Sequence, residues 1–192
     1  MDRDALRLKL LRLRLSPPNL RMVDYWLSLS RDGALPQRDA FDPAAASDFL
    51  RGCGLFDVKP GESVHCRIAG MVLKLVFGSN VAGQDWLAIT PARHRRQRMI
   101  RYSAVAQGAV GVGRRVAVGK KGNTVSIEEV MLPFADVAED GTRQVLVHTD
   151  WRPEGEEWFG VDATYAVTSP TNFTSCRWIR RSLRLCDASA AA

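Results

Sequence analysis

Residues 26–58 read WLSLSRDGALPQRDAFDPAAASDFLRGCGLFDV, and this stretch decides the fold. It begins inside an apolar helix, and the LPQR segment at residues 35–38 follows as a proline-marked connector. Asp42 before Pro43 places a good N-cap ahead of proline at the first position of a short helix. The apolar run at residues 55–58 then begins a sheet. The stretch therefore predicts a helix, a connector, a capped short helix and the first strand, in that order.

The composition is typical of one folded domain with extensions. The 192 residues are 46% hydrophobic and 25% charged, which argues against wholesale disorder. No apolar run approaches the roughly 20 residues that cross a bilayer, and the first residues do not form a secretory signal. The four cysteines form no CxxC pair and lie at no metal-ligand spacing from the histidines. We expect a cytoplasmic protein with reduced cysteines and no metal site.

The rest of the chain continues the pattern of a short-helix and antiparallel-strand domain. Apolar residues at helical spacing predict a helix over residues 19–31. Alternating residues and Gly, Asn or Asp turns predict the strands. The predicted strands are 55–58, 63–69, 109–119, 123–133 and 143–151, and the predicted helices between them are 71–77 and 92–107.

The two ends of the chain are less regular. In residues 1–15 the leucines fall on two separated arcs of a helical wheel, so residues 1–18 are interpreted as a loosely structured basic arm. Near the other end, apolar residues at helical spacing predict a basic amphipathic helix that packs on the domain or on a second copy, with contact to a membrane surface as the weaker alternative. These residues are Cys176, Ile179, Leu183 and Cys186.

Several short motifs, in this order, resemble a bacterial family of stand-alone PAS-domain proteins over residues 20–152. They are Tyr25-Trp26, Leu35-Pro36-x-Arg38, Phe41-Asp42-Pro43, residues 55–58, Cys66-Arg67-Ile68-Ala69-Gly70, Gly78, Gly83, residues 129–134 and Asp140-Gly141. The resemblance implies an α+β fold: a five-stranded antiparallel sheet with short helices on one face, an N-terminal helix and a C-terminal extension. The expected divisions are the arm 1–18, N-terminal helices 19–53, the PAS-like domain 54–152 and the extension 153–192.

The resemblance also implies a role in signalling. We expect a small-ligand sensor or protein-interaction adaptor without its own output module, acting on a signalling or transcriptional regulatory protein. A homodimer is expected through the first apolar helix, with Leu20, Val23, Trp26 and Leu27 at the interface. No enzyme is expected, because the sequence contains no nucleophile elbow, no phosphate loop and no pair of carboxylates placed for acid–base catalysis. An enzyme of unknown chemistry is the third alternative, and it would need a buried polar constellation that sequence does not reveal. Such a constellation would bring His65 or His148 near Glu129 or Asp150.

PAS pockets lie between the sheet and the short helices, which predicts a metabolite-binding pocket there; plain core packing is the alternative. The candidate lining residues are Ile68, Phe77, Trp86, Tyr102 and Met131. A haem group would need a histidine ligand, but His94 lies among arginines, and the signature of photoactive flavin-binding relatives is absent. No cofactor is predicted.

Positive charge is concentrated in one block. Between Asp85 and Glu128 there is no Asp or Glu but nine Lys or Arg, while the whole chain carries +6. A solvated helix face explains such a block, and so does an anionic partner. The alternative function is therefore a nucleic-acid or nucleotide-binding regulatory module using the Arg93–Lys121 block; nucleic acid is not favoured, because no helix-turn-helix accompanies it. The candidate contacts are Arg93, Arg95, Arg96, Arg98 and Arg101.

Overall fold

The computed structural model of the protein describes residues 3–77, 80–118, 124–153, 177–179 and 185–187. Two 3₁₀ turns, Arg38–Ala40 and Leu50–Gly52, lie in the connector before the first strand. The helices are α1 (Arg3–Arg12), α2 (Pro17–Ser28), α3 (Met71–Phe77) and α4 (Ala92–Ala106). The strands are β1 (Cys53–Lys59), β2 (Ser63–Ala69), β3 (Val110–Val118), β4 (Thr124–Val137), β5 (Arg143–Pro153), β6 (Arg177–Ile179) and β7 (Leu185–Asp187).

The strands form one antiparallel sheet in the order β2-β1-β5-β4-β3-β6-β7. The first five of these are the five-stranded sheet that the sequence predicts, so the α+β PAS-like fold is confirmed. Tight turns join β1 to β2 and β4 to β5, and Gly61 and Gly141 occupy them with φ of 83° and 82°. These positive φ values favour glycine over residues with a side chain.

We call one side of the sheet the N-terminal face, because α1, α2 and connector residues 29–52 cover it. Trp26 of α2 is fully buried there, and its Nε1 donates a hydrogen bond of 3.0 Å to the Pro133 carbonyl of β4. Val23 is also fully buried and Leu27 is 3% exposed, in the same cluster as Leu132. The N-terminal helix therefore packs on the sheet of its own chain.

This packing corrects the expected dimer interface. Val23, Trp26 and Leu27 are covered by their own chain, so they are not available to a second copy, and Leu20 is half-buried. The sequence indicated a strongly apolar helix that must dock somewhere. The sequence did not show that α2 covers the N-terminal face of the sheet in its own chain.

The opposite side of the sheet is the α4 face, which α3, α4 and residues 81–90 cover. Tyr102 and Val105 of α4 pack against Phe56 and Val58 of β1 in a second buried cluster. Trp86, from the turns before α4, belongs to the same cluster. The sheet is thus buried on both faces, and helices on the α4 face agree with the PAS arrangement.

The N-terminal arm is helical, in contrast to the expectation of a loosely structured segment. In α1, Leu6 is 2% exposed and Leu10 is fully buried, whereas Leu8 and Leu11 point outward with 53% and 38% exposure. Arg7 forms a two-point ion pair with Asp24 of α2, at 2.7 and 3.1 Å. The helix was missed because its outward leucines blur the apolar stripe on which helix recognition depends.

The C-terminal helix expected over residues 176–186 is also wrong where the structure describes the chain. Residues 177–179 and 185–187 are the strands β6 and β7, and β6 pairs with β3 through Val110 and Gly111. An edge strand presents unpaired backbone groups that favour an added strand over a helix. Cys176 and Leu183 lie outside the described residues.

Candidate ligand cavity

Most residues predicted to line a pocket under the helices belong to a packed core. The Phe56 ring lies against Trp86 and Tyr102, with ring centroids 5.0 and 5.1 Å apart. Met131 belongs to the same cluster, and none of Trp86, Tyr102 and Met131 is more than 6% exposed. The side chain of Phe77 lies outside the described residues. The three described side chains fill the space beneath α4, so they stabilise the α4 face by burial.

A cavity of about 300 Å³ lies on the N-terminal face instead, between the connector and the sheet. Arg38, Phe41 and Pro43 line it from the connector, while Leu55 and Ile68 line it from β1 and β2. Ile68, unlike the other described pocket candidates, therefore does face a cavity. The volume is at the lower end of the range of about 300–1,000 Å³ found for small-molecule pockets.

Two hydrogen bonds to backbone groups of the connector hold it over this cavity. The Ala135 amide of β4 donates to the Pro36 carbonyl at 2.8 Å, and the Arg38 amide donates to an Asp136 carboxylate oxygen at 2.6 Å. Both anchors lie at the residues just after Phe134, which itself lines the cavity. The LPQR segment therefore lies alongside the end of β4, and this position places the next residues of the connector over the sheet.

Gly70, which also lines the cavity, permits a close backbone contact between the start of α3 and the Leu50–Gly52 turn. Gly70 donates from its amide to the Cys53 carbonyl at 2.7 Å. A Cβ atom on Gly70 would lie 2.5 Å from the Arg51 carbonyl oxygen and 2.6 Å from that of Cys53. Because real Cβ atoms do not approach backbone that closely, a side chain here would push the start of α3 away from the Leu50–Gly52 turn.

Among the described residues that line the cavity, Arg38 is the one cation, and it is half-buried. Its guanidinium carbon lies 5.5 Å from the Phe41 ring centroid and 5.8 Å from that of Phe134, within cation–π range. Within the described part of the chain, no ion pair forms between this guanidinium and a carboxylate. Two aromatic faces therefore position a positive charge beside an apolar space.

Cys53 also lines the cavity, as a neutral thiol. It is 7% exposed, and burial raises the pKa of its thiol to about 12. Its Sγ lies 3.5 Å from the Phe49 carbonyl oxygen, to which it donates a weak hydrogen bond. An unionised thiol is a poor nucleophile, so Cys53 contributes apolar surface to the wall.

A buried polar network lies elsewhere on the N-terminal face. His148 of β5 is 3% exposed, and its Nδ1 lies 2.6 Å from Oδ1 of the fully buried Asn19 of α2. Burial lowers the pKa of His148 to about 4, and the nearby Asp150 carboxylate opposes this only in part. A Cβ on Gly52 would lie 2.6 Å from His148 Nε2, so the ring is enclosed. His148 is neutral at ordinary pH.

Glu128 of β4 completes this network. Its Oε1 accepts hydrogen bonds from the Ser16 amide at 2.6 Å and from Asn19 Nδ2 at 2.9 Å, and its Oε2 pairs with Arg114 Nε at 2.7 Å. Burial alone would raise the pKa of the Glu128 carboxyl, but the bonds from Asn19, Ser16 and Arg114 together lower it. Glu128 therefore ties the start of α2 to the sheet as an ionised group.

This network was not recognised from the sequence. Of the histidine and acidic residues named there as catalytic groups, His148 does enter a buried polar cluster. It contacts Asn19, whose side chain also contacts Glu128, and the nearby charge of Asp150 acts on it. Ser16, whose amide donates to Glu128, comes directly before the two prolines that begin α2. Nothing in the sequence showed that a carboxylate over a hundred residues later would meet that amide.

The five arginines of α4 do not share one environment. Arg95 donates to the Thr90 and Ala88 carbonyls at 2.9 and 3.2 Å, and Arg98 donates to Thr90 Oγ1 at 2.5 Å. The Arg98 guanidinium carbon also lies 5.0 Å from the Trp86 ring centroid. These two arginines therefore hold the preceding turns.

The remaining arginines of α4 are placed differently. Arg93 and Arg96 are exposed, and Arg101 is half-buried. Arg93 Nε donates to His94 Nε2 at 3.0 Å. Burial lowers the pKa of His94, with help from the neighbouring positive charges of Arg93, Arg98 and Arg101. Arg93 and Arg96 are thus the members of the candidate set that remain most open to an anionic partner.

Two general features of the described residues bear on function. They contain no cluster of three or more His, Cys, Asp or Glu side chains arranged to bind a metal ion. The helices within the same ranges are too short or too polar to span a bilayer.

Comparison with known proteins agrees with the fold. A family model described as a PAS domain matches residues 14–146, which include α2, the connector, α3, α4, residues 81–90, strands β1 to β4 and the start of β5. Comparison with curated proteins finds no match. Because the family match covers more than half of the chain, the protein belongs to the PAS domain family, whose members are sensory and interaction modules of signalling systems.

Proposed function

We propose that this PAS protein is a signalling regulator that binds a small apolar molecule in the cavity beneath its connector and acts on a separate partner protein. The single observation that carries the proposal is the cavity of about 300 Å³ between the connector and the sheet. Sites of this size and apolar character are typical of small-molecule binding. The partner is a signalling or transcriptional regulatory protein, and the proposed location is the cytoplasm, where thiols such as Cys53 and Cys66 stay reduced.

The position of the cavity suggests how occupancy would be transmitted. The connector contributes one wall and the sheet contributes the other, so a ligand contacts both and favours the arrangement in which they are packed together. The exposed surface of the connector includes Asp39, Asp42 and Pro43. A partner protein that binds this surface would therefore bind differently according to whether the connector is packed on the sheet.

The proposal assigns no catalysis and no cofactor to the chain. Its support is that the buried titratable groups have structural partners: His148 contacts Asn19, and Glu128 accepts bonds from three donors. His94, the histidine considered for haem, accepts a hydrogen bond from Arg93. These contacts favour a role in holding α2 and α4 over a role in chemistry.

Native mass spectrometry tests the proposed function. The freshly purified protein is compared with Ile68→Trp, which places a larger ring at the cavity wall, and with Ile100→Trp, a matched change at a similarly exposed isoleucine on α4 (52% and 51% exposed). We expect a bound small molecule in the wild type and in Ile100→Trp, and its loss in Ile68→Trp. Equal occupancy in all three proteins would contradict the assignment of the cavity.

The second candidate is an anion-binding module on α4. The observation in its favour is that Arg93 and Arg96 are exposed on a helix without a single acidic residue. Titration with duplex and single-stranded DNA across a salt series tests it, because phosphate-driven binding weakens steeply as salt rises. Changing Arg93 and Arg96 together to Ala should abolish such binding, while Arg31→Ala and Arg51→Ala, both exposed elsewhere, should preserve it.

A further inference from the structure

The chemistry of the cavity points to a more specific ligand than an apolar molecule in general. The described residues of its lining are apolar apart from one cation, Arg38. A purely structural arginine on a protein surface usually extends its head into water or pairs with a carboxylate. Here the guanidinium lies over Phe41 and Phe134 and borders the cavity.

We propose that the cavity binds an apolar carboxylate, with the alkyl or aromatic body of the ligand against Leu55 and Ile68 and its carboxylate on Arg38. This inference rests on the proposed function and narrows its ligand class. A guanidinium presents two parallel N–H donors that match a carboxylate in shape and charge. The two phenylalanine rings restrict the guanidinium, so less side-chain freedom is lost when the ligand binds.

Charge in the surroundings is consistent with this assignment. Asp136, an acid of β4 that the connector contacts, accepts its hydrogen bond from the Arg38 backbone amide, and Gln37 lies beside the same carboxylate. The Arg38 side chain forms no ion pair with Asp136 or with any other carboxylate in the described ranges. A ligand carboxylate would therefore not have to displace a protein carboxylate from the guanidinium.

The cavity also sets the size of the ligand. A water molecule takes about 30 Å³ in the liquid, so about 300 Å³ suits a ligand of about ten non-hydrogen atoms. Octanoate, with an eight-carbon chain and one carboxylate, is a suitable probe of this size. 1-Octanol has the same chain without the charge, and it reports the apolar contribution alone.

Calorimetric titration of the full chain with octanoate and with 1-octanol, both kept below their aggregation concentrations, tests the proposal. The variants are Arg38→Met, which removes the charge but keeps an unbranched apolar side chain, and Arg31→Met, a matched change at an exposed arginine outside the cavity. We expect octanoate to bind about tenfold or more tightly than 1-octanol, because a charge-assisted bond is added. Arg38→Met should remove this preference, and Arg31→Met should keep it.

The outcomes separate this inference from the function on which it rests. Equal binding of octanoate and 1-octanol to the wild type, unchanged in Arg38→Met, overturns the carboxylate assignment and leaves a ligand-binding cavity in place. Absence of binding by both probes overturns the assignment and also counts against the proposed function. Circular dichroism of each variant shows whether it is folded, and Arg38→Lys, which keeps the charge without the two-donor geometry, should retain part of the octanoate preference if Arg38→Met does not fold.

Discussion

The two faces of the sheet are both covered by helices, but their interiors differ. On the α4 face, Phe56 packs against both Trp86 and Tyr102, and these rings fill the space where the sequence predicted a pocket. On the N-terminal face, α2 packs tightly around Trp26, yet the adjoining connector leaves a cavity beside Arg38. The comparison teaches that large aromatic residues beneath a helix favour core packing, whereas an irregular connector over a sheet leaves space for a ligand.

The largest expected effect concerns the packed part of the N-terminal face. Trp26→Ala should lower the free energy of unfolding by about 3–5 kcal/mol, because it removes a fully buried ring and leaves the Pro133 carbonyl without its donor. Urea denaturation of the purified variant measures the change. Trp26→Phe should cost less, since it keeps most of the apolar contact. A loss below 1 kcal/mol for the alanine variant would show that α2 is not firmly packed on the sheet.

The next effect tests whether α1 belongs to this face. Leu10→Ala should cost about 2–4 kcal/mol, because Leu10 is fully buried between α1 and the rest of the N-terminal face. Leu8→Ala, at a leucine that is 53% exposed on the same helix, should stay within about 0.5 kcal/mol of the wild type. Thermal or urea unfolding distinguishes the two variants. Equal small losses would return residues 3–12 to the interpretation as a loose arm.

A pH effect should distinguish the polar network from the apolar core of the α4 face. The pKa of His148 is lowered by burial from 6.5 to about 4, so below pH 6.5 the unfolded chain binds a proton that the folded chain excludes. Stability is therefore lost as the pH falls from 6.5 towards 4, and His148 should account for about 2 kcal/mol between pH 7 and pH 5. Urea denaturation at the two pH values measures it.

The control for this pH effect is a histidine outside the network. His148→Gln should reduce the difference between pH 7 and pH 5, whereas His65→Gln, at an exposed histidine of β2, should retain the wild-type difference. If His148→Gln leaves the pH dependence unchanged, the ring is not held neutral by burial, and the network does not secure α2 in the way described.

The smallest effect concerns the arginines that border the α4 face. Arg98→Met should cost about 1 kcal/mol, because it loses the bond to Thr90 Oγ1 and the contact with the Trp86 ring. Arg96→Met, at an exposed position on the same helix, should be nearly neutral. Thermal unfolding of both variants checks the difference. Similar losses of stability in the two variants would mean that the contacts of Arg98 with Thr90 and Trp86 do not stabilise the fold.

The sheet and the helices over the α4 face could be predicted from sequence because their signals are local. Alternating residues mark β2, whose bounds were predicted to the residue, and glycine-containing turns mark the hairpins. α1 was missed because only Leu6 and Leu10 of its leucines face inward. The residues at the C-terminal end were read as a helix from spacing alone, without the open edge of β3 to which β6 pairs.

The candidate site was harder to predict, because its parts meet only in the folded chain. Arg38 and Phe41 were visible as elements of a motif, but their contact with Phe134 joins segments far apart in sequence. In the same way, the pocket was expected beneath α4 from aromatic residues whose burial the sequence could not distinguish from pocket lining. The choice between core and cavity depends on how closely side chains interlock, which only the structure shows.

The central claim is that a ligand binds on the N-terminal face and not beneath α4. Mapping backbone amide chemical shifts of the isotope-labelled protein during titration with octanoate tests it most directly. The account predicts saturable shifts at residues that line the cavity, such as Phe41, Leu55 and Ile68, with little change around Trp86 and Tyr102. Shifts concentrated around Trp86 and Tyr102 instead, with none at the cavity, would contradict it.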